Sequence, residues 1–248
     1  MKLRTRELHG PSFEAHTYGM TIFKTVYATF IEALFPISPA EQEALSLDGA
    51  TAYKALPRAA PAPMPLGCSL FSYKDERVRH LIWAIKYKKS LKAAEIAGKS
   101  LARVLFMYSQ VATPLILVPM PITKRRRRER GFNQCELIVD SIQKAVAERF
   151  PTDSKSIIVS DLLIRKLHTS RQTLKDREER LESATDIFAV NETEAAHLHR
   201  FRNGPEKDPP YLILVIDDVI TTGSTIKDAI ITLRTAGFEK AFGMSVAH

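Results

Sequence analysis

Two adjacent carboxylates followed by small hydroxyl-bearing residues form the stretch of this sequence with the clearest chemical potential. Asp217 and Asp218 come directly after four apolar residues, 213–216, and are followed by Thr221-Thr222-Gly223-Ser224-Thr225. An uncharged apolar run is typical of a strand buried on both faces of a parallel sheet. The two acids are therefore predicted at the carboxyl end of a buried strand, next to a polar loop.

The residues after this loop predict a helix whose amino terminus faces the same point. Apolar residues recur at helical spacing from Ile226 to Leu233, and Gly237 closes the pattern. Unpaired N–H groups and the helix dipole favour an anion at such a helix start. Gly223 lets the main chain turn tightly, while the flanking Thr and Ser residues add hydroxyl donors. Residues 221–225 are therefore predicted to bind a phosphate.

The acid pair makes the predicted site more specific than a phosphate-binding loop. Asp217 and Asp218 would repel a phosphate unless a polyhydroxylated group or a cation lay between them. A sugar phosphate meets this requirement, with its phosphate in the loop, its ribose hydroxyls on the acids and a hydrated Mg²⁺ nearby. No direct protein ligand to the metal is expected. The alternative is a strand that ends in a capped helix turn, with both acids solvated.

Length and composition are those of an ordinary soluble globular protein. The chain has 248 residues and a net charge of +8, and it is long enough to bury a full core. Its two cysteines, Cys68 and Cys135, are far apart in sequence. This spacing argues against a disulfide framework and against a cysteine zinc knuckle, and it favours a reducing, cytoplasmic setting.

Most of the net positive charge lies in one run, residues 124–130, with six cations and one Glu. Such a patch suits a polyphosphate or a nucleic acid. The alternative is a solvated helix face or loop that binds nothing. No stretch reaches the roughly 20 apolar residues of a membrane span. Residues 20–35 show helical spacing of apolar side chains and predict an amphipathic helix.

Strand and helix patterns alternate along the rest of the chain. Residues 115–118 predict a second buried strand, and shorter strands are expected near 68–73, 157–159, 187–190 and 241–246. Helices are expected over 75–89, 91–107 and 133–150. Residues 165–183 have the character of a mobile arm, and 191–210, with His197 and His199, that of a polar loop. We predict residues 1–19 to be disordered, a helix and Pro-rich arm over 20–67, and one domain over 68–248.

This alternation predicts an α/β fold, a doubly wound parallel sheet with an N-terminal helical and extended extension. The carboxyl ends of parallel strands open on one edge of a sheet, where ligands bind. The basic run and the acid pair are therefore expected around one crevice.

The stretch 213–225 resembles the signature that binds 5-phosphoribosyl 1-diphosphate (PRPP) in type I phosphoribosyltransferases. The order of further motifs is similar to the ComF family of phosphoribosyltransferase-like proteins. These motifs are Leu81-Ile82 with Ala84-Ile85-Lys86-Tyr87, Val118-Pro119-Met120-Pro121, Arg130-Gly131-Phe132-Asn133-Gln134, Thr169 with Gln172, and Arg177, Arg180 and Phe188.

The resemblance implies a role for each group of residues. Asp217 and Asp218 would be the catalytic pair on the ribose hydroxyls, and Thr221, Thr222, Gly223, Ser224 and Thr225 would hold the 5′-phosphate. The loop from Pro119 to Arg130 would face pyrophosphate, through Pro119, Met120, Lys124, Arg125 and Arg130. A flexible loop with Arg165, Thr169, Gln172, Arg177 and Arg180 would close over the site.

Two departures from the family pattern stand out. The family usually carries a four-cysteine zinc knuckle after a Leu-Phe-Pro near its amino terminus, and here no such cysteine cluster follows Leu34-Phe35-Pro36. Any contact with a partner or DNA that depends on the knuckle is therefore in question. Ser183 also stands where the closing loop usually has an Asn.

Three functions remain open from the sequence. The first is a Mg²⁺-dependent transfer of the phosphoribosyl group from PRPP to an unidentified nitrogen acceptor, in a family linked to natural competence. The second is a binding protein that responds to PRPP or a nucleotide without turnover. The third is an accessory that contacts single-stranded DNA or DNA-uptake proteins through residues 124–130. Self-association is left open.

Overall fold

The computed structural model describes residues 38–61, 66–108, 114–149, 157–166, 187–202 and 211–248. The chain divides into two compact units, 1–39 and 40–248, and nearly all described residues belong to the second. The amphipathic helix predicted over 20–35 and the disorder predicted over 1–19 lie outside the described residues, as do Thr169, Gln172, Arg177 and Arg180 of the predicted closing loop.

A five-stranded parallel sheet forms the centre of the second unit, in the order β1-β7-β6-β2-β3. Its strands are β1 (Gly67–Phe71), β2 (Leu115–Pro119), β3 (Ile157–Val159), β6 (Leu212–Val219) and β7 (Ala241–Ala247). Every pairing in it is parallel. Two short antiparallel strands, β4 (Leu163–Arg165) and β5 (Phe188–Val190), form a separate sheet.

Helices cover the five-stranded sheet. Those of the described residues are α1 (Pro39–Ser46), α2 (Gly49–Ala55), α3 (Glu76–Lys88), α4 (Leu91–Tyr108), α5 (Lys124–Arg130), α6 (Gln134–Arg149), α7 (Glu192–Arg202) and α8 (Ser224–Thr235). Local signals explain several boundaries. The Asp75 carboxylate accepts from the N–H groups of Arg77 and Val78 and caps α3, and Gly237 follows α8 with a φ of 89°.

The central strand β6 is buried on both faces because its side chains alternate between two apolar clusters. Leu214 and Ile216 pack in one cluster with α3, α4 and α6. Ile213 and Val215 pack in the other with α8. The α/β, doubly wound parallel architecture predicted from the sequence is therefore confirmed, and it places the end of β6 at the middle of the sheet edge.

The local structure differs from the sequence prediction in three places. The polar loop predicted over 191–210 begins as helix α7, because the Asn191 side chain accepts from the N–H groups of Thr193 and Glu194 at its start. His197 and His199 lie in this helix, and the His199 ring stacks on Phe238 at 4.9 Å. Helices α1 and α2 lie between the helix predicted over 20–35 and the Pro-rich stretch 56–67, where the sequence predicted no element. Strand β4 was not predicted at all.

Membrane-spanning helices are absent from the part of the chain that the structure describes. Among the described residues, no helix combines the length and the apolar character needed to cross a bilayer.

Candidate functional site

The predicted strand, loop and helix around residues 213–235 are present. Asp217 and Asp218 are near the carboxyl end of β6, and Asp217 lies in register with Ser245 of β7. Helix α8 begins at Ser224, and Gly223 precedes it with a φ of 81°, a left-handed conformation that Gly adopts without strain. Residues 221–225 and Asp217 line a small cavity of about 40 Å³. The sequence therefore predicted this local geometry correctly.

The hydroxyl groups of this loop are turned toward each other and toward the helix start. The Thr222 and Ser224 hydroxyl oxygens lie 3.2 Å apart, and the Ser224 N–H points at the Thr222 hydroxyl at 3.5 Å. Thr221, Thr222 and Ser224 are exposed. An anion at this point would meet exposed hydroxyls together with unpaired N–H groups of the first turn of α8.

Asp218 is an almost fully buried acid with one satisfied and one unsatisfied oxygen. It is 4% exposed, and its Oδ1 lies 3.0 Å from the Lys86 ammonium of α3. Its Oδ2 is buried without a hydrogen-bond partner in the described structure. Because an unsatisfied buried carboxylate oxygen costs free energy, Oδ2 is a position at which a ligand hydroxyl or a hydrated cation would be stabilised.

Asp217 is held in place by its neighbours and is unusually basic. Its Oδ1 accepts from the Asp218 N–H at 2.8 Å and from the Cys135 thiol at 3.5 Å. Burial, and secondly the charge of Asp218, raises the pKa of Asp217 to about 7, while the Asp218 N–H, Lys86 and the thiol act in the opposite direction. Asp217 therefore exchanges a proton near neutral pH.

Cys135 is the third member of this cluster. Its Sγ and one oxygen from each aspartate all lie within 4.8 Å of one another. Burial, and then the charges of Asp217 and Asp218, raises the pKa of this thiol well above its usual value. The sulfur is therefore a protonated hydrogen-bond donor rather than a thiolate ligand. Mg²⁺ prefers oxygen, so the two carboxylates fit this cation and the thiol does not contribute to binding it.

The basic run forms helix α5 rather than the predicted loop. Its Thr123 cap accepts from the Arg126 N–H at 3.2 Å, and Gly131 ends it with a φ of 79°. The caps stabilise this helix, and so does the ion pair between Arg125 and Glu129, which are one turn apart. The helix has no apolar periodicity from which it could be predicted. No residue of α5 is buried.

The five residues predicted to contact pyrophosphate fall into three environments. Pro119 and Met120 are buried at the end of β2, where the Met120 N–H donates to the Ile216 carbonyl at 2.9 Å. Lys124 and Arg125 are exposed on α5. Arg130 is half-buried, donates to Gln134 at 2.9 Å, and lies 5.2 Å from the centroid of the Tyr87 ring.

Arg165 was predicted in the flexible loop, but it is the last residue of β4 and pairs with Phe188. Its guanidinium lies 5.4 Å from the Phe188 ring centroid. Burial, and secondly the charge of Arg126, lowers the pKa of Arg165, while Asp217 acts in the opposite direction. Arg165 therefore lies in an ordered strand within range of the charge of Asp217, because the buried Leu163 and Phe188 anchor this strand.

Sequence reasoning assigned no role to two residues of the site, Lys86 and Cys135. Lys86 belongs to a motif that the resemblance uses, but nothing near it in the sequence points to Asp218, 132 positions later. Cys135 and Asp217 are 82 residues apart, so no local pattern joins them.

Comparisons with known proteins find two similar sequences. No family model matches the chain. It is 27% identical over 152 residues to Competence protein F of Haemophilus influenzae, covering 57% of each chain. It is 30% identical over 111 residues to Competence protein ComFC of Bacillus subtilis, covering 45% of this chain and 35% of that protein.

The chain thus spans between about a third and somewhat over half of the length of these relatives. The parallel sheet with its acid pair and hydroxyl loop at the end of β6 is the fold expected for the motif order in the sequence. The two similarities, to proteins named for competence, agree with the resemblance to the ComF family that the motif order in the sequence indicates.

Proposed function

We propose that this protein binds PRPP with Mg²⁺ at the carboxyl end of β6 and transfers the phosphoribosyl group to a nitrogen acceptor. One observation carries the proposal. A buried acid with an unsatisfied oxygen, Asp218, stands three residues before Thr221, the first residue of a loop of exposed hydroxyls that leads into helix α8. A ligand with vicinal hydroxyls and a phosphate satisfies both features at once.

The 5′-phosphate would lie on residues 221–225, where hydroxyls and the first-turn N–H groups of α8 meet it. The ribose hydroxyls would donate to Asp218 Oδ2 and to the Asp217 carboxylate. Asp217 has a pKa raised to about 7, so its ionised form accepts these hydrogen bonds more readily above neutral pH. Lys86 would hold the Asp218 side chain in position, since the two groups lie 3.0 Å apart.

The diphosphate would lie toward β2 and α5. Strand β2 neighbours β6 in the sheet, and the cations of α5 follow it by a short connection. Arg165 brings further positive charge toward Asp217. Mg²⁺, when bound, neutralises diphosphate charge, and the aspartate oxygens are the protein groups suited to its hydration shell.

The transfer itself needs little covalent help from the protein. The bond between ribose C1 and the diphosphate oxygen breaks, and its electron pair leaves with the oxygen. The acceptor nitrogen forms a new bond to C1 with its lone pair and loses a proton to water. The cations on the β2 side would stabilise the charge that develops on the diphosphate as the bond breaks.

Calorimetric titration of PRPP with Mg²⁺ tests the shared premise. Asp217→Asn and Asp218→Asn should each weaken binding at least about tenfold, the loss expected for one charge-assisted hydrogen bond. Asp140→Asn, which removes an exposed acid from α6, should bind as the unchanged protein does. Equal affinities in all variants would reject the site.

Pyrophosphate release separates transfer from the alternative, a PRPP-responsive binding protein. Incubation with PRPP, Mg²⁺ and a panel of nitrogen bases and aromatic amines should release pyrophosphate with at least one acceptor. Tight PRPP binding with no release across the panel would favour the binding protein.

A role in natural competence is proposed from the names of the two relatives. Single-stranded DNA is a candidate partner because Arg130, the last residue of α5, lies 5.2 Å from the ring centroid of Tyr87, a residue that is 52% exposed, and because residues 124–129 of the same helix are exposed. Cations track the nucleic-acid backbone and aromatic rings stack on bases. Binding of an oligonucleotide should fall steeply with added salt and weaken in Tyr87→Ala, whereas binding that salt leaves unchanged would reject this contact.

A further inference from the structure

A second cavity, of about 790 Å³, adjoins the hydroxyl loop. It shares Val219, Ile220 and Thr221 with the wall of that loop. Its other walls come from residues after β1, from the segment that begins at Arg58, and from His248 after β7. The cavity therefore opens at the carboxyl ends of neighbouring parallel strands, the edge at which α/β sheets bind ligands.

The side chains of this cavity suit an anion with a flat ring. Arg58, Lys74 and Arg79 line it, and no Asp or Glu side chain is among its described lining residues. The Tyr73 ring also lines it and is 37% exposed. Cations attract a carboxylate, and an aromatic face gains from stacking on another ring.

Hydrogen bonds join the cavity wall to the hydroxyl loop. The His248 ring Nδ1 lies 2.9 Å from the Ile220 carbonyl. Because a carbonyl only accepts, this nitrogen carries the hydrogen and donates it. The Tyr73 N–H donates to the His248 carbonyl at 2.8 Å, and the His248 N–H donates to the Phe71 carbonyl at 3.0 Å. The cavity is thus preorganised next to the loop, which lowers the cost of ordering it on binding.

The sheet order decides which reactant this cavity faces. Strand β6 lies between β7 and β2. The cations proposed to hold the diphosphate follow β2, whereas this cavity lies at the ends of β7 and β1. In a displacement at ribose C1, the entering nitrogen and the leaving oxygen are on opposite sides of the carbon. A ribose above the end of β6 would have its leaving group toward β2 and its entering group toward the cavity.

The geometry points to this cavity as the acceptor subsite, for a small aromatic acid that carries a nucleophilic nitrogen. The inference rests on the proposed function and adds the substrate class to it. The carboxylate lies among Arg58, Lys74 and Arg79, the ring lies against Tyr73, and the nitrogen faces the ribose.

Calorimetric titration of the full chain with 2-aminobenzoate tests this inference, and aniline is the matched probe without a carboxylate. Both are titrated in the presence of ribose 5-phosphate and Mg²⁺. The variant Lys74→Gln/Arg79→Gln removes two exposed cations of the cavity. The control Lys92→Gln/Lys144→Gln removes two exposed cations elsewhere, and circular dichroism establishes that both variants fold.

We expect 2-aminobenzoate to bind and aniline to show no heat of binding. The cavity variant should weaken 2-aminobenzoate at least about tenfold, with ribose 5-phosphate binding kept, and the control should change neither. Equal binding of the two probes, an unchanged cavity variant, or no binding of either probe would overturn the anionic acceptor. If the unchanged protein did not bind ribose 5-phosphate, the proposed function would be rejected. The acceptor role of the cavity would be rejected with it, even if 2-aminobenzoate still bound.

Discussion

The acid pair at the end of β6 and the basic helix α5 carry opposite charges in opposite environments. Asp218 is 4% exposed and depends on Lys86, and the pKa of Asp217 is raised to about 7. On α5 no residue is buried, and the Arg125 side chain is 85% exposed beside Glu129. Each region is at or after the carboxyl end of a strand of the same parallel sheet, the acid pair in β6 and α5 after β2. Only the acid pair includes a buried residue.

The difference shows how burial decides what a charge does. Removed from water, two carboxylates repel each other strongly, so the pKa of Asp217 is raised, and Asp218 lies against the Lys86 ammonium. In water, four consecutive arginines are screened and cost little to place together. The acid pair is therefore suited to specific recognition, and the basic helix to attraction of any polyanion.

The largest expected effect comes from removing the cation of the buried pair. Lys86→Met leaves Asp218 buried without its partner, and we expect the free energy of unfolding to fall by roughly 3 kcal/mol. Urea denaturation measures it. Lys92→Met, which removes one end of an exposed pair with Glu95, should cost less than about 1 kcal/mol. Similar losses for the two variants would erase the contrast between the buried and exposed charges.

Two glycines test the difference in packing between the regions. A Cβ at Gly243 of β7 would lie 2.5 Å from Ile226 Cγ1 in the first turn of α8, and Gly243→Ala should cost about 2 kcal/mol through overpacking. At Gly131, after α5, φ is +79° and nothing lies within 4 Å of the added atom. Gly131→Ala should cost about 1 kcal/mol, from backbone strain alone. The reverse order in thermal or urea unfolding would count against tight packing beneath the hydroxyl loop.

The raised pKa of Asp217 predicts a pH dependence of stability with a definite sign. The folded state holds this proton more tightly than the unfolded state, whose pKa is near 3.8. The stabilisation is therefore complete below about pH 4 and is lost as the pH rises to about 7. The unfolding free energy of the unchanged protein, relative to Asp217→Asn, should fall by up to about 1.4 kcal/mol per pH unit in this window. Parallel pH profiles would show that Asp217 titrates normally.

The smallest effect is expected on α5. Arg125→Gln removes an exposed cation paired only with Glu129 of its own helix in the described structure, and its urea midpoint should equal that of the unchanged protein. The salt dependence of oligonucleotide binding should become shallower by about one unit of slope if Arg125 contacts a phosphate. A lower urea midpoint would mean that α5 has a structural role.

The candidate site was predictable where its signals are local. An apolar run, two acids, four hydroxyls and a Gly follow one another within 213–225, and each step has a backbone preference of its own. Arg165 shows where this reasoning fails. Its stretch is charged enough to suggest a mobile arm, yet three residues pair with β5 and hold it in a strand. The prediction of a loop at residues 124–130 was wrong for a related reason, because capping stabilises helix α5 in the absence of apolar periodicity.

By itself, the sequence determined the parallel sheet, its central strand and the loop that follows the acid pair, because these depend on residues close together in the chain. Tertiary structure alone decided that Lys86 pairs with Asp218, that the Cys135 thiol donates to Asp217, and that a basic cavity forms beside the loop. These contacts join residues far apart in sequence. They exist only because packing of the helices on the sheet brings these side chains together and excludes water. The same exclusion of water is what raises the pKa of Asp217 and of Cys135.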